Sequence, residues 1–250
     1  MGVWGPRPQR GPGAEPLAFF PLPSLKAPPD RLYGRRRGHA LRGRQELLLE
    51  ATLPRMRFAG PDDPGAAFAA LPSALWLEVG FGGGEHLREL AEANPDVGVI
   101  GCEVFAQGLC SLLGALVAEG AEATGALPGN LRIWDGDARA LLRDLPPGSL
   151  DRLCSMFPDP WPKARHAKRR FVHPEIVALA ASRLKRGAEW RAASDDPTYQ
   201  AWVAEVMGAQ DLFDVAVASS ERPAGWPATR YEAKALAAGR VPIYWVFVRR

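Results

Sequence analysis

The chain has 250 residues, 47% of them hydrophobic, and its formal net charge at pH 7 is only +3. This length suits one large globular domain, or one domain with an appendage, with enough apolar residues for a sizeable core. No apolar run approaches the roughly 18 residues that would span a bilayer, and the first residues lack the apolar segment of a secretory signal.

The cysteines favour a reducing compartment. Cys102, Cys110 and Cys154 all lie in apolar surroundings, their number is odd and no CxxC spacing occurs. Buried core cysteines are therefore expected, not a disulfide or a zinc site, and no metal is predicted. We expect a cytoplasmic protein that does not enter a membrane.

The chain divides into three predicted parts. Residues 1–30 are rich in Pro, Gly and Arg without periodicity, and are expected to be a disordered or loosely attached tail. Residues 31–72 form a basic arm, with Arg35, Arg36 and Arg37 in a loop. A helix is predicted from about Arg44 to Leu53, with Leu47 among its inward-facing residues. The arginine run is either a solubilising arm or a phosphate contact.

Residues 73–250 alternate between strand and helix. The predicted strands are Ala74–Val79, Val97–Cys102, Leu131–Trp134, Leu150–Phe157, Glu189–Ala193, Phe213–Ala218 and Ile243–Val248. Helical patterns separate most of them, so the expected fold is α/β with a doubly wound, mainly parallel, seven-stranded sheet.

The loop that leaves the fourth strand has an unusual composition. It reads FPDPWPKARHAKRR, from Phe157 to Arg170. Prolines flank Asp159 and restrict the backbone, so the carboxylate is expected on a stiff loop. A basic cluster follows, and such a cluster is either a solvated face or a contact with nucleic acid. Because ligands of α/β sheets bind outside the strand ends, the combination favours a functional loop.

The first strand leads into a glycine loop of the pattern Gly80-x-Gly82-x-x-Glu85. This loop lacks the third glycine of the dinucleotide fingerprint, and no GxxxxGK[ST] sequence occurs. Glu78 and Glu85 would repel a pyrophosphate. They suit a cationic ligand instead, and S-adenosylmethionine carries a sulfonium and an ammonium group without a phosphate.

Three acids follow successive strands and should converge on one crevice: Glu78, Glu103 and Asp137. Glu103 is placed to accept both ribose hydroxyls, as acids do in Rossmann sites. Asp137 is placed to accept from the adenine amino group.

The strings LEVGFGGGEH, GCEV, NLRIWDGDA, FPDPWPKARHAKRR, SDDPTY and TRYE stand in the order seen in bacterial tRNA (guanine-N7-)-methyltransferases. The chain resembles that family from roughly Arg31 to Arg250. The resemblance implies a class I, Rossmann-like methyltransferase fold that uses S-adenosylmethionine, and methylation of N7 of the guanine at position 46 in the variable loop of tRNA. Ser194 departs from the family, which often has threonine there, and the first 30 residues have no family counterpart.

The resemblance also implies roles for individual residues. The implied cofactor-binding residues are Glu78, Gly80, Gly82, Glu103, Asp137 and Asp159, of which Asp159 is also catalytic. The implied substrate-binding residues are Lys163, Asp195, Thr229, Arg230, Tyr231 and Glu232. The expected RNA contacts are Arg165, His166, Lys168, Arg169 and Arg170, together with Arg35, Arg36 and Arg37.

The chemistry needs no general base, because N7 of guanine carries a lone pair and no proton. Catalysis is then mainly positioning and electrostatics. A fixed carboxylate near the ring would stabilise the cationic purine, and Asp159 is the candidate, with Asp195 as a possible partner. Trp161 either stacks on the base or packs under the loop. A structural or RNA-facing role is preferred for His166.

Three rival functions remain at this stage. They are a methyltransferase of the same fold acting on another RNA or a protein, an inactive tRNA-binding protein, and, least favoured, a nicotinamide dehydrogenase. The retained acids argue against a pure tRNA-binding protein, because binding alone needs no donor-shaped acidic crevice. The sequence leaves open whether the molecule is a monomer or a homodimer.

Overall fold

The computed structural model describes residues 38–250. The predicted tail over residues 1–30 and the arginine run Arg35–Arg37 lie outside the described residues. Seven strands form one sheet in the order β3-β2-β1-β4-β5-β7-β6. The strands are β1 (Ala74–Val79), β2 (Val97–Cys102), β3 (Leu131–Trp134), β4 (Leu150–Met156), β5 (Leu184–Ser194), β6 (Phe213–Ser219) and β7 (Ile243–Arg249).

The sheet is parallel from β3 to β5, and β7 runs antiparallel to both of its neighbours. The α-helices of the described chain are α1 (Gly43–Leu47), α2 (Leu53–Met56), α3 (Glu85–Ala93), α4 (Ala106–Leu116), α5 (Ala138–Asp144), α6 (Pro174–Arg183), α7 (Pro197–Gly208) and α8 (Arg230–Ala237). The predicted doubly wound, mainly parallel sheet is confirmed. Since the chain leaves β1 towards β2 on one side and later returns to form β4 on the other, the sheet has a crevice at the carboxyl ends of these strands.

Successive side chains of β1 point to opposite faces of the sheet, and the hydrophobic core accordingly has two layers. Leu75 and Leu77 pack into a cluster with residues of α5, α6 and α7, while Trp76 packs with α3 and α4 on the opposite face. This is the expected result for a strand buried on both faces. Trp190 lies at the centre of the first layer, fully buried, and its indole N–H donates to Ser155 Oγ over 3.0 Å.

The arm before the sheet differs from the predicted single helix. A π-helical turn, Leu48–Thr52, joins α1 to α2, so the helical region extends to Met56. Leu47 and Leu48 were both predicted to face inwards; Leu48 is buried, but Leu47 is 51% exposed. The wider π turn changes the helical phase, which a 3.6-residue pattern does not anticipate. Phe58 then donates its backbone N–H to Ile133 O, which attaches the arm to the β3 edge.

Strand β5 begins five residues before its predicted start at Glu189. Its early part, around Lys185 and Arg186, is exposed and shows no apolar alternation. Pairing with β4 extends across this stretch with an irregular register, so tertiary pairing overrides a weak local pattern. Among residues 38–250, no helix has the length and apolar character needed to cross a membrane.

Candidate active site

A cavity of about 840 Å³ opens at the carboxyl ends of β1 to β4. Its walls come from the glycine loop, the end of β2, the start of α5, the loop after β4 and the first turns of α6. Five of the six predicted cofactor residues line it: Gly80, Gly82, Glu103, Asp137 and Asp159. Of the three acids predicted to converge on one crevice, Glu103 and Asp137 line this cavity and Glu78 does not. What the lining residues bind stays a prediction.

The glycine loop is shaped by left-handed backbone. Gly80, Gly82 and Gly84 have φ of +73°, +58° and +84°, a region that residues with a side chain rarely adopt. At Gly82 space is also short, because an added Cβ would lie 3.0 Å from the Tyr231 hydroxyl oxygen. The loop therefore brings bare backbone to the cavity wall, and α3 begins directly after it at Glu85.

Glu103 fastens this loop to the end of β2. One carboxylate oxygen accepts from the Gly82 N–H over 2.8 Å, and the other accepts from Val104 and Phe105 over 2.7 and 2.9 Å. Burial raises the pKa of Glu103; the backbone donors oppose that rise, and the charge of Asp159 adds to it. The carboxylate thus shapes the cavity wall besides facing the cavity.

Asp137 caps the first turn of α5. It accepts from the Arg139 backbone N–H over 2.9 Å and pairs with the Arg139 guanidinium, whose Nη2 lies 2.5 Å from Oδ2. Burial alone would raise the pKa of Asp137, but the hydrogen bonds and charge of Arg139 lower it overall. A charged Asp137 is thereby held at the wall, with Arg139 beside it.

Glu78 has a different position from the other predicted cofactor acids. It is 2% exposed and does not line the cavity. Its Oε2 lies 2.8 Å from Nδ1 of His86, which is buried on α3. The structure thus brings Glu78 next to the glycine loop but turns its carboxylate towards the helix.

The loop after β4 has two strained residues on either side of Asp159. Phe157 and Trp161 have φ of +52° and +45°, and they are the only non-glycine residues with positive φ among those that the structure describes. Such backbone costs about 1–3 kcal/mol per residue and persists only where the surroundings enforce it. Phe157 is held by its N–H, which donates to Ala193 O over 2.8 Å, and by an edge-to-face contact with Tyr244. Asp159 itself is exposed and lines the cavity.

The basic segment continues as a short 3₁₀ helix, Ala164–Arg169. Lys163, Arg165 and Lys168 are exposed, and Lys168 also lines the cavity. Desolvation and the neighbouring cations lower the pKa of His166, which favours an uncharged imidazole there. Of the predicted RNA-binding cations, Lys168 and Arg169 thus line the same cavity as the proposed catalytic acid, Asp159.

Trp161 packs within this segment. The guanidinium carbon of Arg169 lies 4.8 Å from the centre of the Trp161 ring, and His166 meets that ring edge to face at 5.7 Å. Because Trp161 also lines the cavity, the packing role does not exclude contact with a bound base.

Arg170, predicted with the RNA-binding run, is 5% exposed. Its Nε and Nη2 each lie 3.1 Å from a main-chain oxygen, of Pro160 and Trp161 respectively. The guanidinium therefore lies inside the protein, against the loop that carries Asp159, and apart from the exposed cations.

The segment from Thr229 to Glu232 reaches the glycine loop. Thr229 and Glu232 form a capping box that starts α8. This directs Tyr231 towards Gly82 and the cavity, while Arg230 Nη1 lies 3.7 Å from Glu85 Oε1. Of the four predicted substrate residues in this segment, Tyr231 lines the cavity and the others support it from outside.

Asp195 and Lys163, the remaining predicted substrate residues, do not line the cavity. Asp195 Oδ2 accepts from Arg240 Nε over 2.6 Å, and Lys163 is exposed on the basic segment.

The far wall of the cavity consists of residues that were not predicted as site residues. It is built by Arg139 and Arg143 of α5, His173 at the start of α6, and Ile176 and Leu179 of α6. The one available signal was Pro174, which marks a helix start directly after the basic loop. Among residues 38–250, no group of His, Cys, Asp and Glu side chains is arranged to hold a metal ion.

Comparisons with known proteins agree on one family. Residues 72–244 match the family described as "Putative methyltransferase". A tRNA (guanine-N(7)-)-methyltransferase of Granulibacter bethesdensis is 63% identical over 232 residues, which cover 92% of this chain and 100% of that protein. The protein of the same name from Paramagnetospirillum magneticum is 48% identical, over 88% of this chain and 93% of its own length.

Among solved structures, that of the 16S rRNA methyltransferase KamB superposes with a TM-score of 0.52 at 18% identity. The match covers 72% of this chain and 89% of that one. At this identity the likeness shows the fold, which is that of a class I methyltransferase.

Proposed function

This chain belongs to the tRNA (guanine-N(7)-)-methyltransferase family, and we propose that it transfers a methyl group from S-adenosylmethionine to N7 of the guanine at position 46 of tRNA. The observation that carries this proposal is the pairing of an acid-lined cavity with a cationic rim on a single loop. Asp159 and Lys168 both line the cavity, nine residues apart in the chain.

The residues present fit S-adenosylmethionine by their chemistry. Glu103 and Asp137 place carboxylates on the wall of a cavity of about 840 Å³, where a ligand with ribose hydroxyls, an amino group and net positive charge finds acceptors. Gly80 and Gly82 allow backbone to approach it closely. When bound, this group supplies an electrophilic methyl carbon.

Asp159 is the residue we assign to catalysis. N7 attacks through a lone pair, so no proton is removed, but the purine gains a positive charge during transfer. A carboxylate held beside the ring stabilises that charge as it develops, because it is already oriented. The same carboxylate has acceptor capacity for the guanine N1–H and exocyclic amino group. Asp195, which pairs with Arg240 and does not line the cavity, is assigned a supporting role.

The exposed cations are assigned to the tRNA backbone. Lys163, Arg165 and Lys168 have donors for charge-assisted hydrogen bonds to phosphate. Arg35–Arg37 extend this assignment to the basic arm over residues 31–72. A cytoplasmic location, where tRNA is available, is part of the same proposal.

The test is a methyl-transfer assay with the purified full chain, labelled S-adenosylmethionine and unmodified tRNA. We expect label in 7-methylguanosine after nucleoside digestion, and its loss when position 46 of the tRNA is changed to adenine. Label in another nucleoside, or in another RNA only, would support a different methyltransferase of this fold. Binding of tRNA and S-adenosylhomocysteine without turnover would indicate an inactive binding protein.

A further inference from the structure

We propose that Arg170 is a positioning residue for the methyl transfer: its buried guanidinium fixes the loop that carries Asp159 and does not contact tRNA phosphate. The inference rests on the proposed function, because it assigns Arg170 a role only through Asp159. It separates Arg170 from the exposed cations of the same run.

The contacts of Arg170 are with the backbone of that loop. Nε and Nη2 donate, each over 3.1 Å, to the carbonyls of Pro160 and Trp161, the two residues that follow Asp159. A planar guanidinium can span two successive carbonyls, whereas the ammonium of lysine has no such fork. The two bonds thus define where the chain goes immediately after the carboxylate.

The loop needs such support because its backbone is strained. Trp161, whose carbonyl Arg170 binds, has φ of +45°, and Phe157 has φ of +52°. The Phe157 end is tied to β5 through Ala193. Arg170 ties the other end, so Asp159 lies between two anchored residues.

The opposite side of the guanidinium is fixed by α7. The guanidinium carbon lies 4.9 Å from the centre of the Trp202 ring. Within residues 38–250, Arg170 forms no ion pair with a carboxylate. Burial lowers the pKa of Arg170, and the charges of Asp196 and Glu205 oppose this only in part. Its cation is therefore directed to the loop carbonyls and to an aromatic face, and not to a neighbouring acid.

The position of Arg170 does not favour a contact with the tRNA backbone. Arg170 lines the cavity but is only 5% exposed, and its Nε and Nη2 already donate to the carbonyls of the loop. Lys168, two residues earlier, is exposed at the rim. One run of cations thus contains side chains that face solvent and one that supports the loop from within.

The test compares Arg170→Gln, which removes the charge, with Arg170→Lys, which keeps it, and uses Lys168→Gln as the matched control. For each, kcat and KM for tRNA and S-adenosylmethionine are measured, with the salt dependence of tRNA binding and the melting temperature. We expect both Arg170 variants to lose kcat by about 10- to 100-fold, because a small displacement of a catalytic group has that effect. Both KM values and the salt dependence should stay at wild-type values. Lys168→Gln should instead lower the log–log salt slope by about one.

Three results would overturn the inference. One is wild-type kcat in Arg170→Lys. Another is a salt slope reduced by about one in Arg170→Gln with kcat unchanged, which would make Arg170 a phosphate contact. Recovery of both variants only as unfolded protein would make Arg170 a residue of general stability and would also refute the proposal. A wild-type chain that fails to methylate tRNA would refute the proposed function itself, so the two failures are distinguishable.

Discussion

Glu78 and His86 form a buried pair that links the end of β1 to the first turn of α3. The Glu78 Oε2 and His86 Nδ1 atoms are 2.8 Å apart, and the two residues are 2% and 6% exposed. The carboxylate next to the glycine loop is thus held by a helix residue eight positions later in the chain. Because α3 begins directly after that loop, the pair helps to fix where the loop returns to the fold.

This pair predicts a pH-dependent stability. Burial alone would lower the pKa of His86, but the charge and hydrogen bond of Glu78 outweigh it and raise the pKa overall. A group with a raised pKa in the folded state contributes stability that is complete below its unfolded pKa, about 6.5, and is lost as pH rises through the folded value. His86→Gln should therefore destabilise the protein by about 1–3 kcal/mol at pH 6, and by less at pH 9.

Urea unfolding at both pH values measures this difference, with His39→Gln, an exposed histidine, as the control. If His86→Gln lowers the free energy of unfolding equally at pH 6 and pH 9, folding does not favour the protonated form of His86.

Asp159→Ala should reduce kcat by at least about 100-fold, because it removes a preoriented charge beside the reacting ring. Affinity for tRNA should stay within about twofold, since the exposed cations remain. Single-turnover methyl transfer and filter binding provide the two readouts. The matched control is Asp62→Asn, because Asp62 is an exposed loop acid that is distant from Asp159 in the sequence. Near-normal turnover in Asp159→Ala would remove Asp159 from catalysis.

Lys163→Ala and Lys168→Ala should each weaken tRNA binding and lower the slope of log K against log salt by about one. The reason is that each lost phosphate contact releases one fewer counterion. Arg186→Ala is the control, because Arg186 is exposed near the amino end of β5, away from the cavity. Binding titrations over a range of salt concentrations measure this slope for each variant. An unchanged slope in both lysine variants would identify their side chains as a solvated face.

Glu103→Gln should weaken binding of S-adenosylhomocysteine by roughly tenfold or more, as a carboxylate that accepts three backbone hydrogen bonds becomes an amide with one acceptor oxygen. We also expect a loss of about 1–3 kcal/mol in the free energy of unfolding, because buried N–H groups are left without acceptors. Titration calorimetry and urea unfolding measure the two effects. If ligand affinity is unchanged while stability falls, Glu103 acts only as a support of the glycine loop.

Local patterns in the sequence were sufficient for most of the framework. The strands over residues 74–79, 97–102 and 131–134 have the predicted bounds. Continuous apolar runs with glycine or acidic residues at their ends define such buried strands without distant information. Because those strands are parallel, the acids that follow them lie at the same edge of the sheet, at the carboxyl ends of the strands.

Charge patterns were a weaker guide, since exposure is decided by contacts that are distant in the chain. Arg165 and Arg170 look equivalent in the string ARHAKRR, yet the first is exposed and the second is buried beneath Trp202 of α7. Similarly, Tyr231 meets Gly82 only because α8 is placed against the glycine loop, about 150 residues away in the chain.

The sequence by itself determined the order of strands and helices, the glycine loop and the acids that follow the strands, because these depend on local periodicity and on the direction of parallel strands. Only the tertiary structure decided that Glu78 turns to His86, that Phe157 and Trp161 take left-handed backbone, and that Arg170 supports the loop between them. Each of these depends on packing between segments far apart in the chain, where the net balance of burial and hydrogen bonding, not local propensity, selects the conformation.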